Sequence, residues 1–145
     1  MVIKNLMLQD VISVGVKGTF RKCLDKIKEL KVYLLSQGLY STSPVIYRIF
    51  EENMEDMKME LIIQLNREVD SIDTDMCTYK KDIQYKQCFY IRYLDGEYTS
   101  GQIQKLFKDE AEKENVQIES PYFIVIPLPD GKVLDVYAPI KGEEP

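Results

Sequence analysis

The chain repeats itself. Around Gly18 it reads ISVGVKGTF, then a helical run, then SQGLYSTSPVIYRIF, then MKMELIIQL; around Gly96 it reads YIRYLDGEY, a helical run, ENVQIESPYFIVIP and VLDVYAPIK. Gly18-Thr19-Phe20 aligns with Gly96-Glu97-Tyr98 at an offset of 78, Ser43-Pro44 with Ser120-Pro121 at 77, and Glu60 with Asp135 at 75. The drift is small and falls where loops are expected. A duplicated module constrains the fold more than any composition does. It predicts two matched sheets and a seam between them, and a seam is a natural place for a ligand. No constellation of residues in either copy specifies a reaction.

The alternating run from Val11 to Lys17 predicts a strand that Gly18 breaks. Thr19 can cap a helix to about Ser36, with Phe20, Cys23, Leu24, Ile27, Leu30 and Leu34 on its apolar face and Gly38 as its stop. Strands are expected over Pro44–Phe50 and Met57–Leu65, joined by a polar hairpin loop, Glu51–Asp56. The second copy predicts a strand over Cys88–Leu94, a helix capped by Ser100 and carrying Ile103, Leu106, Phe107 and Ala111, and strands over Tyr122–Pro127 and Val133–Ile140. Pro129-Asp130-Gly131 turns the last pair. Lys141–Pro145 reads as a polar tail. The chain divides into modules of about 1–65 and 88–145, with 66–87 as a long polar connector containing Asp70, Asp73 and Asp75.

Composition removes several classes of function. The net charge of −5 argues against nucleic acid as a partner, because phosphate contacts need a basic face. The chain has no histidine, which takes away the commonest general base near neutral pH and the commonest transition-metal ligand. Cys23, Cys77 and Cys88 are odd in number and lack close spacing, so free thiols in a reducing cytoplasm are expected rather than zinc or disulfides. The aspartates of the connector lack the glycine and terminal glutamate of a calcium loop. No signal peptide and no apolar run of membrane-spanning length is seen. The expectation is a cytoplasmic protein with no cofactor, no membrane span and no nucleic-acid partner.

The order of these elements resembles the GyrI-like domains, the effector-binding domains of bacterial transcription activators. The residues that carry the resemblance are the glycine and aromatic at each helix start (Gly18/Phe20, Gly96/Tyr98), the Gly38…Ser43-Pro44 junction, and the closing VLDVYAPIK. The resemblance implies an α+β fold: a pseudo-two-fold tandem βαββ repeat, two helices on a curved antiparallel sheet, and a central aromatic-lined cleft. It implies a stand-alone, non-enzymatic domain that takes a small hydrophobic or cationic molecule, with an acid in the cleft offsetting ligand charge. A second, looser resemblance is to small acidic proteins of Firmicutes that accompany type VII secretion substrates and toxins. It implies a protein partner and a chaperone, immunity or accessory role.

Strand alternation selects which residues could line such a cleft. Met59, Leu61, Ile63 and Leu65 share one face, and Glu60, Ile62 and Gln64 the other. Leu134, Val136, Ala138 and Ile140 share one face, and Asp135, Tyr137 and Pro139 the other. The uniformly apolar faces should meet the helices. Glu60 and Asp135 are then the candidate acids, and Tyr47, Tyr90, Tyr93 and Tyr137 the candidate aromatic wall, since rings and a carboxylate suit a cation. The alternative is that the tyrosines cover the sheet and the acids are solvated. Arg48 and Arg92 lie among apolar strand neighbours; they could bind an anionic group, but are expected to pair with Glu60 or Asp135, which would take the counter-charge away from a ligand.

Overall fold

A computed structural model describes residues 1–51, 56–72, 75–119, 123–127 and 131–142. The elements are β1 (Val2–Gly18), α1 (Phe20–Ser36), β2 (Ile46–Glu51), β3 (Met57–Gln64), β4 (Thr78–Leu94), α2 (Ser100–Lys113), β5 (Phe123–Pro127) and β6 (Val133–Pro139). Every strand pair is antiparallel, and the strands close in the order β1-β3-β2-β5-β6-β4. The fold is therefore α+β, as expected, and the antiparallel sheet curves far enough to close as a six-stranded barrel. Residues 52–55 of the expected hairpin loop, Asp73, Ser120-Pro121, Tyr122, Pro129-Asp130 and residues 143–145 of the tail lie outside the described residues.

Two strands are longer than their sequences advertise. β1 and β4 each run for 17 residues. The expected connector accordingly ends at Cys77, and 78–87 is strand. The added halves pair with each other, Leu6 opposite Tyr85 and Leu8 opposite Ile83, and this pairing closes the barrel. Only one face of this ribbon is buried, so its polar residues dilute the strand signal. The register shifts between Lys4 and Leu6. Two β4 residues, Lys86 and Gln87, stand there against the single Asn5 of β1, a bulge that turns Cys88, Tyr90 and Arg92 to the same side as Ile83 and Tyr85.

Both helices lie on the outside of the barrel. Thr19 caps α1 by accepting a hydrogen bond from the Lys22 amide, and Gly38, at φ +72°, takes the left-handed turn after it. Its buried stripe is Cys23, Ile27, Leu30 and Leu34. Phe20 and Leu24, expected on this face, are 45% and 41% exposed. The helix rests on the sheet along a narrow line, and these two stand to one side of it. Helix α2 is capped by Thr99, not Ser100. Thr99 Oγ1 accepts from the Gln102 amide at 3.2 Å, and the Thr99 amide donates to Gln102 Oε1 at 2.8 Å. The signal that decides between the two is Gln102, three residues after Thr99, which completes a capping box.

Three apolar clusters follow from strand alternation. Cluster one packs α1 against Met57, Met59, Leu61 and Ile63. Cluster two packs Ile103, Phe107 and Ala111 of α2 against Phe89, Tyr93, Val136 and Ala138. The third lies on the opposite face of the same strands, inside the barrel, and holds Leu6, Leu8, Val11, Ile46, Ile62, Cys88 and Ile124. Each fully buried side chain of this size stabilises the fold by about 1.5–3 kcal/mol. No helix among the described residues is long and apolar enough to cross a membrane.

Candidate functional site

The interior face is where charge and aromatic rings meet, and sheet register assembles it. Glu60 on β3 stands opposite Arg48 on β2, Arg48 opposite Ile124 on β5, Ile124 opposite Tyr137 on β6, and Tyr137 opposite Tyr90 on β4. One transverse row thus carries two predicted tyrosines and a predicted acid. Asp135 lies two residues along β6 from Tyr137 on the same face, directly opposite Arg92 of β4.

Each acid is met by an arginine. Arg92 Nε donates to Asp135 Oδ1 at 2.7 Å and Nη2 donates to Oδ2 at 3.0 Å, a bidentate pair. Tyr90 Oη donates to Asp135 Oδ1 at 2.8 Å. Burial alone would push the Asp135 carboxyl up; the hydrogen bonds from Arg92 and Tyr90, with the charges of Arg92 and Lys4, outweigh it and hold the group below its ordinary range. Arg48 Nη1 lies 3.2 Å from Glu60 Oε1, and its guanidinium stands 5.7 Å from the Tyr85 ring. Tyr85 belongs to β4, which is no neighbour of β2 in the barrel. Arg48 therefore reaches across the interior at that level.

The corner around Asp135 is more open. The Arg92 side chain is 55% exposed, while that of Asp135 is 11% exposed. The Tyr90 and Tyr137 rings lie 5.0 Å apart, tilted by 47°. Above Tyr90 sits the ammonium of Lys4, 4.1 Å from the ring centroid. The Tyr90 hydroxyl is pushed up to about 12, first by burial and then by the hydrogen bond it donates to Asp135. The Tyr137 hydroxyl is also raised, by burial.

Of the predicted residues, Asp135, Tyr90 and Tyr137 share this corner, and Glu60 stands on the same face further round the barrel. Tyr47 and Tyr93 are not part of it. Tyr47 packs against the α1 cluster, and Tyr93 is buried in the α2 cluster with its ring 5.4 Å from Tyr98. Alternation separates them. Tyr47 is next to the inward Arg48, and Tyr93 next to the inward Arg92. Lys4 is the residue that sequence reasoning missed. Its only signal is the alternation of β1 before Val11. Cys23, Cys77 and Cys88 are buried free thiols, and no group of metal-ligating side chains is found among the described residues.

The fold has relatives among solved structures. No protein-family model and no curated protein matches the chain. The crystal structure of a hydrolase from Listeria innocua is similar at 10% identity, covering 96% of this chain and 91% of its own, with a TM-score of 0.60. A protein named SAV2435, solved bound to tetraphenylphosphonium, is similar at 13% identity, covering 98% and 95%, with a TM-score of 0.41. The first of these identifies a shared fold; the bound cation belongs to the second protein.

Proposed function

We propose that the protein is a non-enzymatic small-molecule-binding domain, and that a small hydrophobic or cationic ligand sits at the corner formed by Tyr90, Tyr137 and Asp135. The observation that carries this reading is Lys4. Its ammonium stands 4.1 Å over Tyr90 and acts electrostatically on Asp135, so the corner already holds a cation supplied by the chain. A ligand cation would displace Lys4, a flexible and exposed side chain, and leave the Arg92–Asp135 pair in place. The rings, rather than a bare carboxylate, would then supply most of the attraction. The element order supports reading the chain as two βαββ modules, of about 1–65 and 88–145, with the ligand on the face the two share.

A thermal-shift screen with tetraphenylphosphonium and neutral planar hydrophobes tests this. A ligand at a hundredfold excess over Kd stabilises the native state by about 2.7 kcal/mol. Lys4→Met should tighten the cation by removing its competitor, and Tyr137→Leu should weaken both ligand types. If no compound shifts the melting temperature, or if Lys4→Met leaves cation binding unchanged, the reading is wrong.

A further inference from the structure

We propose that the exposed flank of α1 is a docking surface for an acidic amphipathic helix of a partner protein. This inference stands independently of any ligand in the barrel.

The argument begins with a second stripe on the helix. The buried stripe is Cys23, Ile27, Leu30 and Leu34. One residue further along the chain, Leu24, Lys28, Lys31 and Leu35 repeat the same spacing, and Phe20 extends it by a turn. Phe20 is 45%, Leu24 41% and Leu35 67% exposed, and Val32 beside them is 68% exposed. The sheet side of α1 is already filled by the buried stripe. The flank beside it is mixed, apolar at both ends and basic between, and leaves large apolar side chains in water.

A hollow lies at the end of the strip. It measures about 200 Å³ and is lined by Lys31, Leu34, Leu35, Leu39, Tyr40 and Ser41. That is below the roughly 300–1,000 Å³ of small-molecule sites and suits a single inserted side chain. Its walls are mostly apolar, and Tyr40 at its rim is 58% exposed.

Charge selects the occupant. Lys28 and Lys31 sit within the strip and form no ion pair among the described residues; the pair made on this helix is Lys26 with Glu29. The first turn of α1 has no acidic residue and adds Arg21 to this side; Asp25 and Glu29 lie beyond Val32, further round the helix. A complementary surface therefore carries carboxylates flanking an apolar ridge at helical spacing, with one anchor residue for the hollow. An anionic bilayer would also meet lysines and apolar groups. It has no side chain to seat in the hollow, however.

The test uses a stapled peptide of about 18 residues, five turns of helix, with Leu on one face and Glu on both flanks. Its twin carries Lys in place of every Glu. Each is titrated into the isotope-labelled full chain and followed by NMR. Chemical-shift changes should be confined to residues 20–35 and 39–41. The twin should bind at least about tenfold more weakly, the sum expected of two or more ion pairs gained or opposed. Leu35→Glu should abolish binding without changing the melting temperature, and Lys31→Glu should reduce the preference for the acidic peptide. Equal binding of the twins, shifts elsewhere, or no shift at millimolar peptide overturns the proposal. So does binding of phosphatidylglycerol vesicles through this face in place of the peptide. A dimer in sedimentation that Leu35→Glu dissolves overturns it too, because a second copy then covers the strip.

Discussion

Arg92 and Asp135 face each other across β4 and β6 and share two hydrogen bonds, 2.7 and 3.0 Å long. The Asp135 carboxylate is nearly buried, so its charge depends on these partners. Its pKa is lowered in the folded state, and the unfolded value is about 3.9. The unfolded chain thus takes up the proton first as pH falls. The stability this group contributes is complete above about pH 4 and is lost as pH falls through its folded pKa. Asp135→Asn should lower stability at pH 7 by about 1–3 kcal/mol and flatten the acid limb of urea unfolding midpoints. An unchanged acid limb in the variant would show that Asp135 is not held this way.

Tyr90 marks the other end of the pH scale. Its hydroxyl is raised to about 12, against about 10 in an unfolded chain. Here the unfolded state loses its proton first. The contribution is full below about pH 10 and falls away between about 10 and 12. Tyr90→Phe should therefore reduce the decline of stability above pH 10 relative to the parent, and one tyrosinate band in an ultraviolet titration should vanish from the late-ionising fraction.

Neighbouring positions of α1 should differ sharply under substitution. Leu30 is fully buried against the sheet, and Leu35 is 67% exposed. Leu30→Ala should cost about 2–5 kcal/mol, the price of lost contacts plus a residual cavity. Leu35→Ala should change stability by less than about 0.5 kcal/mol. Denaturant unfolding of the two variants side by side checks this, and comparable values would place the helix in a different rotation about its axis.

The two helix starts should respond unequally. Thr99 takes part in a reciprocal pair of hydrogen bonds with Gln102, whereas Thr19 makes one bond of 3.3 Å to the Lys22 amide. Thr99→Ala should cost about 1 kcal/mol, and Thr19→Ala less. Gln102→Ala should show only part of the Thr99→Ala loss, since it removes only the return bond. Melting temperatures of the three variants decide the matter.

Much of this architecture was legible because strand alternation is a local property. Met59, Leu61 and Ile63 announced the face that meets α1, and Val136 and Ala138 the face that meets α2. The same alternation put Glu60, Asp135 and Tyr137 on the opposite side, where they are found. What was hidden was non-local. The barrel closes through Leu6–Tyr85 and Leu8–Ile83, in segments whose outward residues are polar enough to read as connector. Lys4 could not be placed over Tyr90 until that pairing and its bulge were known. Residue type alone selects Tyr47 and Tyr93 for the wall, whereas alternation with Arg48 and Arg92 sends them to the helix side. Phe20 and Leu24 carried the right period for the core of α1. Period alone does not tell how wide a stripe the sheet will cover.

Closure of the barrel has a further consequence for association. Among the described strands, each has a neighbour on both sides, from β1 and β3 round to β6 and β4, but the first half of β1 (Val2–Asp10) pairs only with β4, and residues 78–87 of β4 pair only with β1. The ring has no edge strand, and that two-stranded ribbon is where an incoming strand would find backbone groups without a strand partner. Partners that recruit a target by β-augmentation, and the edge-to-edge stacking that seeds fibrils, both need such an edge. Main-chain recognition is therefore confined to that ribbon. Elsewhere on the barrel a partner must be read with side chains.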